Sequence, residues 1–127
     1  MAKKIIVKPA NSPAAVGPYN HAVRIGSLLF CSGQIPIDPK DGKLVSGDIK
    51  AQTERALQNV KAILDDQKLT FANVVKSTVF LTNLADFAGM NETYAKYFPE
   101  NAPARSAVQV AALPKGAQVE IEVIAHF

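Results

Sequence analysis

The sequence predicts an α+β fold in which two helices pack on one face of a six-stranded mixed sheet, within a single domain of residues 1–127. Short segments rich in branched residues are typical of strands, and two longer segments have the 3.6-residue period of amphipathic helices. Along the chain the order is three strands, a helix, a strand, a helix and two strands. Because two helices cover one face of such a sheet, the other face is expected to lack a helical cover.

The first third of the chain consists of short extended segments separated by turns. Strands are predicted over Ile5–Val7, Ala22–Ile25 and Leu28–Ser32, with Gly26-Ser27 as a tight hairpin connection between the last two. A further turn is expected over Pro39–Gly42, because proline presets one backbone angle and glycine permits positive ones.

The period becomes helical between Asp48 and about Lys68. The apolar stripe of this first helix consists of Ile49, Ala56, Leu57, Val60, Ile63 and Leu64. Asp48 is the predicted N-cap, because its carboxylate can accept a hydrogen bond from a free backbone N–H of the first turn. The next segment, Val74–Leu81, is rich in branched residues and is predicted to be a strand.

A second helix is predicted from about Leu84 to Phe98, where Pro99 ends it. Asn83 is the expected cap, and Asp86 three residues later completes a capping-box-like pair. The apolar stripe consists of Leu84, Phe87, Tyr94, Ala95 and Phe98. Asn91 falls on the same stripe, where its amide requires either backbone hydrogen-bond partners in the core or a wet cavity.

Two strands finish the chain, within residues 103–110 and 118–124, and Leu113–Gly116 joins them. One side of the final strand is apolar and is formed by Val119, Ile121, Val123 and Ala125. The opposite side carries a mixture of charged and bulky residues, Glu120, Glu122, Ile124 and His126. The same alternation groups Arg105, Ala107, Gln109 and Ala111 on the preceding strand. If such mixed sides form the uncovered face, a closed homo-oligomer shields their apolar members, and this is our structural hypothesis.

Composition narrows the class of protein. The net charge is +3, but the lysines are scattered and the densest group is Lys3, Lys4 and Lys8, so a nucleic-acid groove is not expected. Cys31 is the only cysteine, which excludes an intrachain disulfide. No apolar run approaches the ~20 residues that cross a bilayer, and no signal peptide is recognisable, so a cytoplasmic location is expected. The two histidines have no partners at metal-ligand spacing, so no metal site is expected.

Arg105 and Glu120 are charged residues within apolar strands, where burying a charge is costly unless it is paired. Arginine grips a carboxylate with two parallel hydrogen bonds, and a glutamate nearby can move protons. The pair therefore indicates a site for a carboxylated molecule that undergoes proton transfer. The alternatives are a surface salt bridge for Arg105 and a solvated strand face for Glu120.

Other candidates are weaker from the residues alone. The Ser32-Gly33 pair ends an apolar strand, where glycine allows either a close approach to a ligand or a bend. Tyr19 offers an aromatic wall or plugs the end of the core. Neither Cys31 nor Ser32 has the surroundings of a nucleophile, and no glycine-rich phosphate or dinucleotide loop is present. Any catalysis is therefore expected to be noncovalent, to use water and to need no cofactor.

Seven segments distributed over nearly the whole length follow a known pattern, namely Ala15–Tyr19, Cys31–Pro36, Asn59–Leu64, Val75–Leu81, Pro103–Ser106, Leu113–Gly116 and Val119–Glu122. On these segments the chain resembles the RidA family, also called the YjgF family, of reactive-intermediate imine deaminases. The resemblance implies a chorismate-mutase-like fold and a homotrimer with pockets between subunits. It also implies hydrolysis of 2-imino acids, such as 2-iminobutanoate and 2-iminopropanoate from pyridoxal-phosphate enzymes, to 2-oxo acids and ammonia.

The resemblance also assigns roles by position. It makes Arg105 the carboxylate-binding residue and Glu120 the residue that activates water. Tyr19 lines the pocket and the Ser32-Gly33 backbone lies against the ligand, while Phe87 and Asn91 border the cleft. Ala107 and Gln109 depart from the pattern, since some members have a cysteine and an acidic residue there, and a smaller wall is expected to shift substrate preference.

The alternatives to an imine deaminase are a non-enzymatic trimer that binds small carboxylates and an endoribonuclease or translation inhibitor. Arg105 alone suffices for carboxylate binding, whereas a ribonuclease needs clustered cations that this sequence lacks.

Overall fold

In the computed structural model, which describes residues 3–127, eight strands and two α-helices are present. The strands are β1 Ile5–Val7, β2 Ala22–Ile25, β3 Leu28–Gln34, β4 Ile37–Asp38, β5 Lys43–Leu44, β6 Val74–Leu81, β7 Ala104–Gln109 and β8 Val119–His126; the helices are α1 Ile49–Asp66 and α2 Phe87–Tyr94. Six strands form one sheet in the order β1-β2-β3-β8-β6-β7. All neighbours in it are antiparallel except β6 and β7, which confirms the predicted mixed sheet.

The strands β4 and β5 form a separate small hairpin around the predicted turn at Pro39–Gly42. Each has two residues, too short for an alternating pattern to reveal in the sequence. Gly42 closes this turn with a φ of +71°, as the turn prediction requires.

The first helix follows its prediction closely. Asp48 caps it by accepting a hydrogen bond from the Ala51 N–H at 3.0 Å. All six predicted stripe residues are buried, and α1 packs against β3, β8 and α2. Three polar residues, Gln52, Thr53 and Asn59, are buried on the same helix, which the apolar pattern did not indicate.

The second helix is shorter than predicted. A 3₁₀ turn over Leu84–Asp86 precedes α2, and Asn83 caps this turn through the Ala85 N–H at 2.9 Å. Within residues 3–127 the Asp86 side chain accepts no hydrogen bond from the Asn83 N–H, so the predicted capping box does not form, and no side-chain hydrogen bond caps α2 itself. The buried residues of α2 are Met90, Thr93 and Tyr94, whereas Leu84, Phe87 and Ala95 of the predicted stripe are exposed. Because a 3₁₀ turn has three residues per turn, the continuous 3.6-residue period used for the prediction was out of phase with the real surface.

The two faces of the sheet are distinguished by cross-strand register. Val119, Ile121, Val123 and Ala125 are buried beneath the helices, which confirms the apolar side of β8. No helix within residues 3–127 covers the opposite face, which exposes large apolar side chains, including Phe30 and Val108, each 42% exposed. This confirms that one face of the sheet is uncovered and partly apolar.

Our hypothesis put the Arg105 row of β7 and the Glu120 row of β8 together on the uncovered face, and for the Arg105 row this is wrong. Arg105 pairs with Ser77, which in turn pairs with the buried Val123, so Arg105 lies on the helix-covered side. Glu120 pairs with Phe80 on the uncovered side. A charge on the covered side is tolerated because β7 is an edge strand, where a long side chain reaches the rim of the core rather than its centre.

Candidate functional site

A cavity of about 600 Å³ lies beside the end of β3 and beside Glu120 on the neighbouring strand β8. Its lining residues are Pro13, Ala14, Val16, Tyr19, His21, Ser32, Gly33, Gln34, Ile35, Ile37, Gly42, Pro114, Lys115 and Glu120. Four residues predicted for the site, Tyr19, Ser32, Gly33 and Glu120, are thus brought together from three distant parts of the chain. The walls are mainly apolar, with a few convergent polar groups, as is usual for small-molecule sites.

The pairing of β3 with β8 is irregular between Cys31 and Gln34, and this irregularity shapes one wall. It turns Gly33 directly toward the Glu120 side chain, which leaves no room for a Cβ at that position. A Cβ on Gly33 would clash with the carboxylate Oε2 of Glu120 and lie 2.7 Å from its Cδ. The close approach that glycine permits here is therefore to the acidic side chain itself.

Ser32 is committed to the same wall. Its hydroxyl donates a hydrogen bond to the Asn20 carbonyl at 2.6 Å, and its N–H donates to the His21 carbonyl at 2.8 Å. These bonds tie the end of β3 to the segment that carries Tyr19. A hydroxyl whose proton already goes to a carbonyl is a positioning group, which agrees with the expectation that Ser32 is not a nucleophile.

The Glu120 carboxyl is half-buried in this cavity. Its removal from water raises its pKa, and the negative charge of Glu122 raises the pKa further. The salt bridges within residues 3–127 join Lys50 to Glu92 and Lys61 to Asp65, away from the cavity. A carboxyl group with a raised pKa holds a proton more readily than an ordinary carboxylate, a property that suits a general base that later acts as a general acid.

Tyr19 forms the outer wall and is 48% exposed. Its ring stands edge-on to the His21 ring, with centroids 6.3 Å apart. The buried Gln34 amide lies 3.4 Å from the His21 Nδ1 and donates to the Ser32 carbonyl at 3.1 Å. Tyr19 is therefore a cavity wall rather than a plug of the core.

Three polar residues that line the cavity, His21, Gln34 and Lys115, were not expected from the sequence. Lys115 has a φ of +59°, in the left-handed region that residues other than glycine rarely adopt. The Leu113–Gly116 segment was interpreted only as a connection, although it was one of the segments carrying the family resemblance. Its place in a segment shared with the family could have indicated Lys115 as a site residue. His21 could have been suggested by its position two residues after Tyr19.

Arg105 belongs to a second cluster, formed by β7 and α2. Its Nη1 donates a hydrogen bond to the Asn91 Oδ1 at 2.7 Å. The guanidinium carbon lies 4.8 Å from the centroid of the Tyr94 ring and 5.5 Å from that of Phe87, within the range of cation–π attraction. Tyr94 is itself held by a buried 2.6 Å hydrogen bond between its hydroxyl and that of Ser77. The alternative that Asn91 is a core asparagine hydrogen-bonded to the backbone is wrong, because its side-chain oxygen accepts a hydrogen bond from Arg105 instead.

Arg105 makes no salt bridge with a carboxylate anywhere in residues 3–127, so the surface ion pair considered for it does not form there. Ala107 shares its side of β7 and packs against the core. Gln109 lies farther along the same side, and its Oε1 accepts from the Leu84 N–H at 2.9 Å. Gln109 therefore holds the 3₁₀ turn, while Ala107 remains adjacent to Arg105.

Within one chain the two clusters lie on opposite sides of the sheet, since Arg105 is on the covered side and Glu120 on the uncovered side. One cluster is suited to binding a carboxylate and the other to proton transfer. Across residues 3–127 no group of three or more histidine, cysteine or acidic residues is placed to hold a metal ion. In the same part of the chain no helix is long and apolar enough to cross a membrane.

Comparison with known proteins places this geometry in a family. Residues 9–127 match the family model described as Endoribonuclease L-PSP. The human 2-iminobutanoate/2-iminopropanoate deaminase is 47% identical over 120 residues, covering 94% of this chain and 88% of that protein. A RutC family protein of Pyrococcus horikoshii is 50% identical over 123 residues, covering 97% of this chain and 98% of that one.

Solved structures agree with the sequence relatives. A Rid family protein of Yersinia pestis superposes with a TM-score of 0.94 at 46% identity, covering 98% of this chain and 100% of that one. The TdcF protein of E. coli, solved with bound serine, superposes with a TM-score of 0.92 at 43% identity, covering 97% of this chain and 98% of that one. With a matching family model over almost the whole chain and close relatives in both comparisons, the chain belongs to the YjgF/RidA family.

Proposed function

We propose that this protein is a 2-iminobutanoate/2-iminopropanoate deaminase, which hydrolyses reactive imines and their enamine tautomers from pyridoxal-phosphate enzymes to 2-oxo acids and ammonia. The observation that carries the proposal is the Glu120 carboxyl, half-buried in a mainly apolar cavity with its pKa raised. The deaminase names of relatives at 47% identity support the same reaction.

We further propose that the working form is a homotrimer whose pockets lie between subunits, each combining the Arg105 cluster of one copy with the Glu120 cavity of another. The separation of the two clusters within one chain supports this arrangement. The apolar uncovered face, with Phe30 and Val108 exposed, is a surface that association would shield. Shared pockets of this kind make activity depend on assembly.

In the proposed reaction Arg105 binds the substrate carboxylate. A guanidinium has five N–H donors, so the hydrogen bond to Asn91 leaves a pair free for bidentate binding. Phe87 and Ala107 border the carboxylate, and Tyr19 with the Ser32-Gly33 backbone encloses the rest of the ligand. Such positioning places the imine carbon beside the Glu120 carboxylate and supplies much of the rate enhancement.

The chemical step balances without an oxidant or a reductant. The substrate enters as the imine protonated on nitrogen. Glu120 takes a proton from water as the hydroxide oxygen bonds to the imine carbon, and the C=N π electrons move to nitrogen to give a neutral carbinolamine. Glu120 then returns its proton to the amine nitrogen, the C–N bond breaks with its electron pair on nitrogen, and the hydroxyl group becomes the carbonyl of the 2-oxo acid as its proton passes to solvent. Ammonia leaves, and no step requires a cofactor.

The test couples threonine dehydratase and threonine to this protein and follows the release of 2-oxobutanoate in the presence of semicarbazide, which traps the free imine. We expect faster release with the wild type and none of this acceleration with Glu120→Gln or Arg105→Ala. Glu100→Gln is the control for the loss of one carboxylate, because Glu100 is exposed and does not line the cavity. Normal activity in Glu120→Gln or Arg105→Ala would overturn the proposed roles.

A second candidate is a non-enzymatic trimer that binds small carboxylates. It is favoured by the serine bound in the E. coli relative, since serine carries a carboxylate next to an amino-bearing carbon. Glu120→Gln discriminates between the two functions, because it should stop the enzyme and leave 2-oxobutanoate binding, measured by calorimetry, intact.

An endoribonuclease, the activity in the family model's description, ranks lower because Lys115 is the one lysine or arginine lining the described cavity. RNA cleavage by pure protein that is lost in Arg105→Ala would revive it.

A further inference from the structure

Asn59 is a polar side chain at the centre of α1 with no exposed surface. Its Nδ2 donates hydrogen bonds to the Ile35 carbonyl at 3.1 Å and to the Ile37 carbonyl at 2.8 Å. Its Oδ1 accepts from the Nη2 of Arg55, one turn earlier on the helix, at 2.7 Å. Because both carbonyls can only accept, the nitrogen of the amide must face them, and the orientation of the side chain is determined.

The segment that Asn59 holds is a wall of the candidate site. Ile35 and Ile37 line the cavity, and Gly33, two residues before Ile35, packs against Glu120. Ile35 and Pro36 lie between β3 and β4, outside the six-stranded ladder. The two hydrogen bonds from Asn59 therefore tie the Ile35 and Ile37 carbonyls to α1, at a place where the main sheet supplies no neighbouring strand.

Neither Asn59 nor Arg55 lines the cavity. The Arg55 side chain instead borders a separate surface depression, with Gln58 and Lys61. The contact between helix and wall is thus made from behind, through the protein interior. Burying an amide costs free energy unless its hydrogen bonds are made, so a fully bonded buried amide is expected where it fixes the conformation of the segment that it contacts.

We infer that Asn59, oriented by Arg55, is a positioning residue that sets the distance between the Gly33–Ile37 wall and the Glu120 carboxyl. The inference rests on the proposed function for its catalytic consequence. It differs from a purely structural role in one respect: displacing the wall alters the placement of the reacting atoms more than the binding of the carboxylate, which Arg105 is proposed to perform in another subunit. Loss of Asn59 should therefore lower kcat with little change in KM.

The experiment compares Asn59→Leu, Asn59→Asp and Arg55→Met with the wild-type chain. Asn59→Leu removes both donors at similar volume, and Asn59→Asp keeps the acceptor for Arg55 while presenting oxygen to the two carbonyls. We expect kcat to fall about 10- to 100-fold in both, since displacement by ~1 Å costs up to about 10² in rate, and to fall less in Arg55→Met. Asn73→Leu is the control, because Asn73 also donates to a backbone carbonyl, that of His126 at 3.1 Å, far from the cavity.

A second readout does not depend on activity. Amide hydrogen exchange at residues 33–37 should accelerate in the Asn59 variants, while exchange in β8 and in the Asn73→Leu control should stay near wild type. Wild-type kcat or unchanged exchange at 33–37 in a folded Asn59 variant would overturn the inference, as would an equal loss of kcat in Asn73→Leu. If neither Asn59 variant folds, Arg55→Met decides, and normal kcat with normal exchange in it overturns the inference. If the wild-type protein does not hydrolyse imines, the proposed function is wrong. The hydrogen-exchange pattern then still decides whether Asn59 holds the Gly33–Ile37 wall.

Discussion

Gly33→Ala tests the geometry of the proposed site with a single added methyl group. A Cβ at position 33 would lie 2.7 Å from the Cδ and 2.9 Å from the Cγ of Glu120, and would clash with its Oε2. Ordinary van der Waals contact for a Cβ begins at 3.4 Å and extends to 4 Å. The Glu120 side chain must therefore retreat by about 1 Å, because the backbone on either side of Gly33 is held by the Ser32 N–H bond to the His21 carbonyl and by the pairing of Gln34 with Ile121.

The size of the effect follows from that displacement. Glu120 is half-buried and flexible, so relieving the clash should cost the fold only about 1 kcal/mol, the low end for overpacking. Moving the carboxylate ~1 Å from the reacting carbon should lower kcat about 10²-fold, equivalent to about 2.7 kcal/mol of transition-state stabilisation. Catalysis should thus suffer much more than stability.

The assay is imine hydrolysis in the coupled threonine dehydratase reaction, with circular dichroism and sedimentation as controls for fold and assembly. If the added methyl group acts by displacing Glu120, it should have almost no further effect on kcat in a Glu120→Gln background. Wild-type kcat in Gly33→Ala, or a full additional loss in the double variant, would refute the reasoning that Gly33 exists to make room for Glu120.

Three further predictions concern individual buried groups. Burial and the charge of Glu122 raise the pKa of Glu120 above its ordinary 4.5, so the folded state binds this proton more tightly than the unfolded state. Stability is therefore lost as pH rises from the unfolded-state pKa through the folded-state pKa. Glu120→Gln should raise Tm at neutral pH but not below pH 4, and a lower Tm at neutral pH would contradict this. Tyr94→Phe leaves the Ser77 hydroxyl without its 2.6 Å partner and should cost about 1–3 kcal/mol in urea unfolding, with a double Ser77→Ala variant losing less than the sum; additive losses would count against a direct bond. Burial raises the pKa of the Cys31 thiol to about 12, so native protein should react with a disulfide reagent at pH 8 only slowly and unfolded protein at once; rapid native reaction would show that the thiol is accessible.

The elements that were predicted well are those whose pattern is local. The α1 helix combines a long 3.6-residue stripe with a capping aspartate, and in β8 every second residue is buried while those between are half-buried or exposed. The α2 helix was predicted too long because a 3₁₀ turn interrupts the period at Leu84–Asp86. The β4–β5 hairpin was missed because two-residue strands carry no period at all.

The sequence suggested candidate residues for the site but not their arrangement in space. Tyr19, Ser32, Gly33 and Glu120 do share a cavity, and Asn91 does contact Arg105. Alternation alone could not say which side of the sheet the Arg105 row faces, since that depends on the parallel pairing of β7 with β6 at the sheet edge. The buried amide of Asn59 gave no local signal either, because its partners at Ile35 and Ile37 lie more than twenty residues away.

By itself the sequence determined the class of fold, because hydrophobic period and caps are properties of neighbouring residues. Its resemblance to known members over seven segments indicated the family, and charged residues in apolar strands suggested candidates for the site. Only the tertiary structure decided that Arg105 and Glu120 lie on opposite sides of one sheet, and that Gly33 yields its space to a carboxylate. Those facts depend on strand order, register and contacts between segments remote in the chain. Such contacts are settled when the core packs, and no local pattern of residues encodes them.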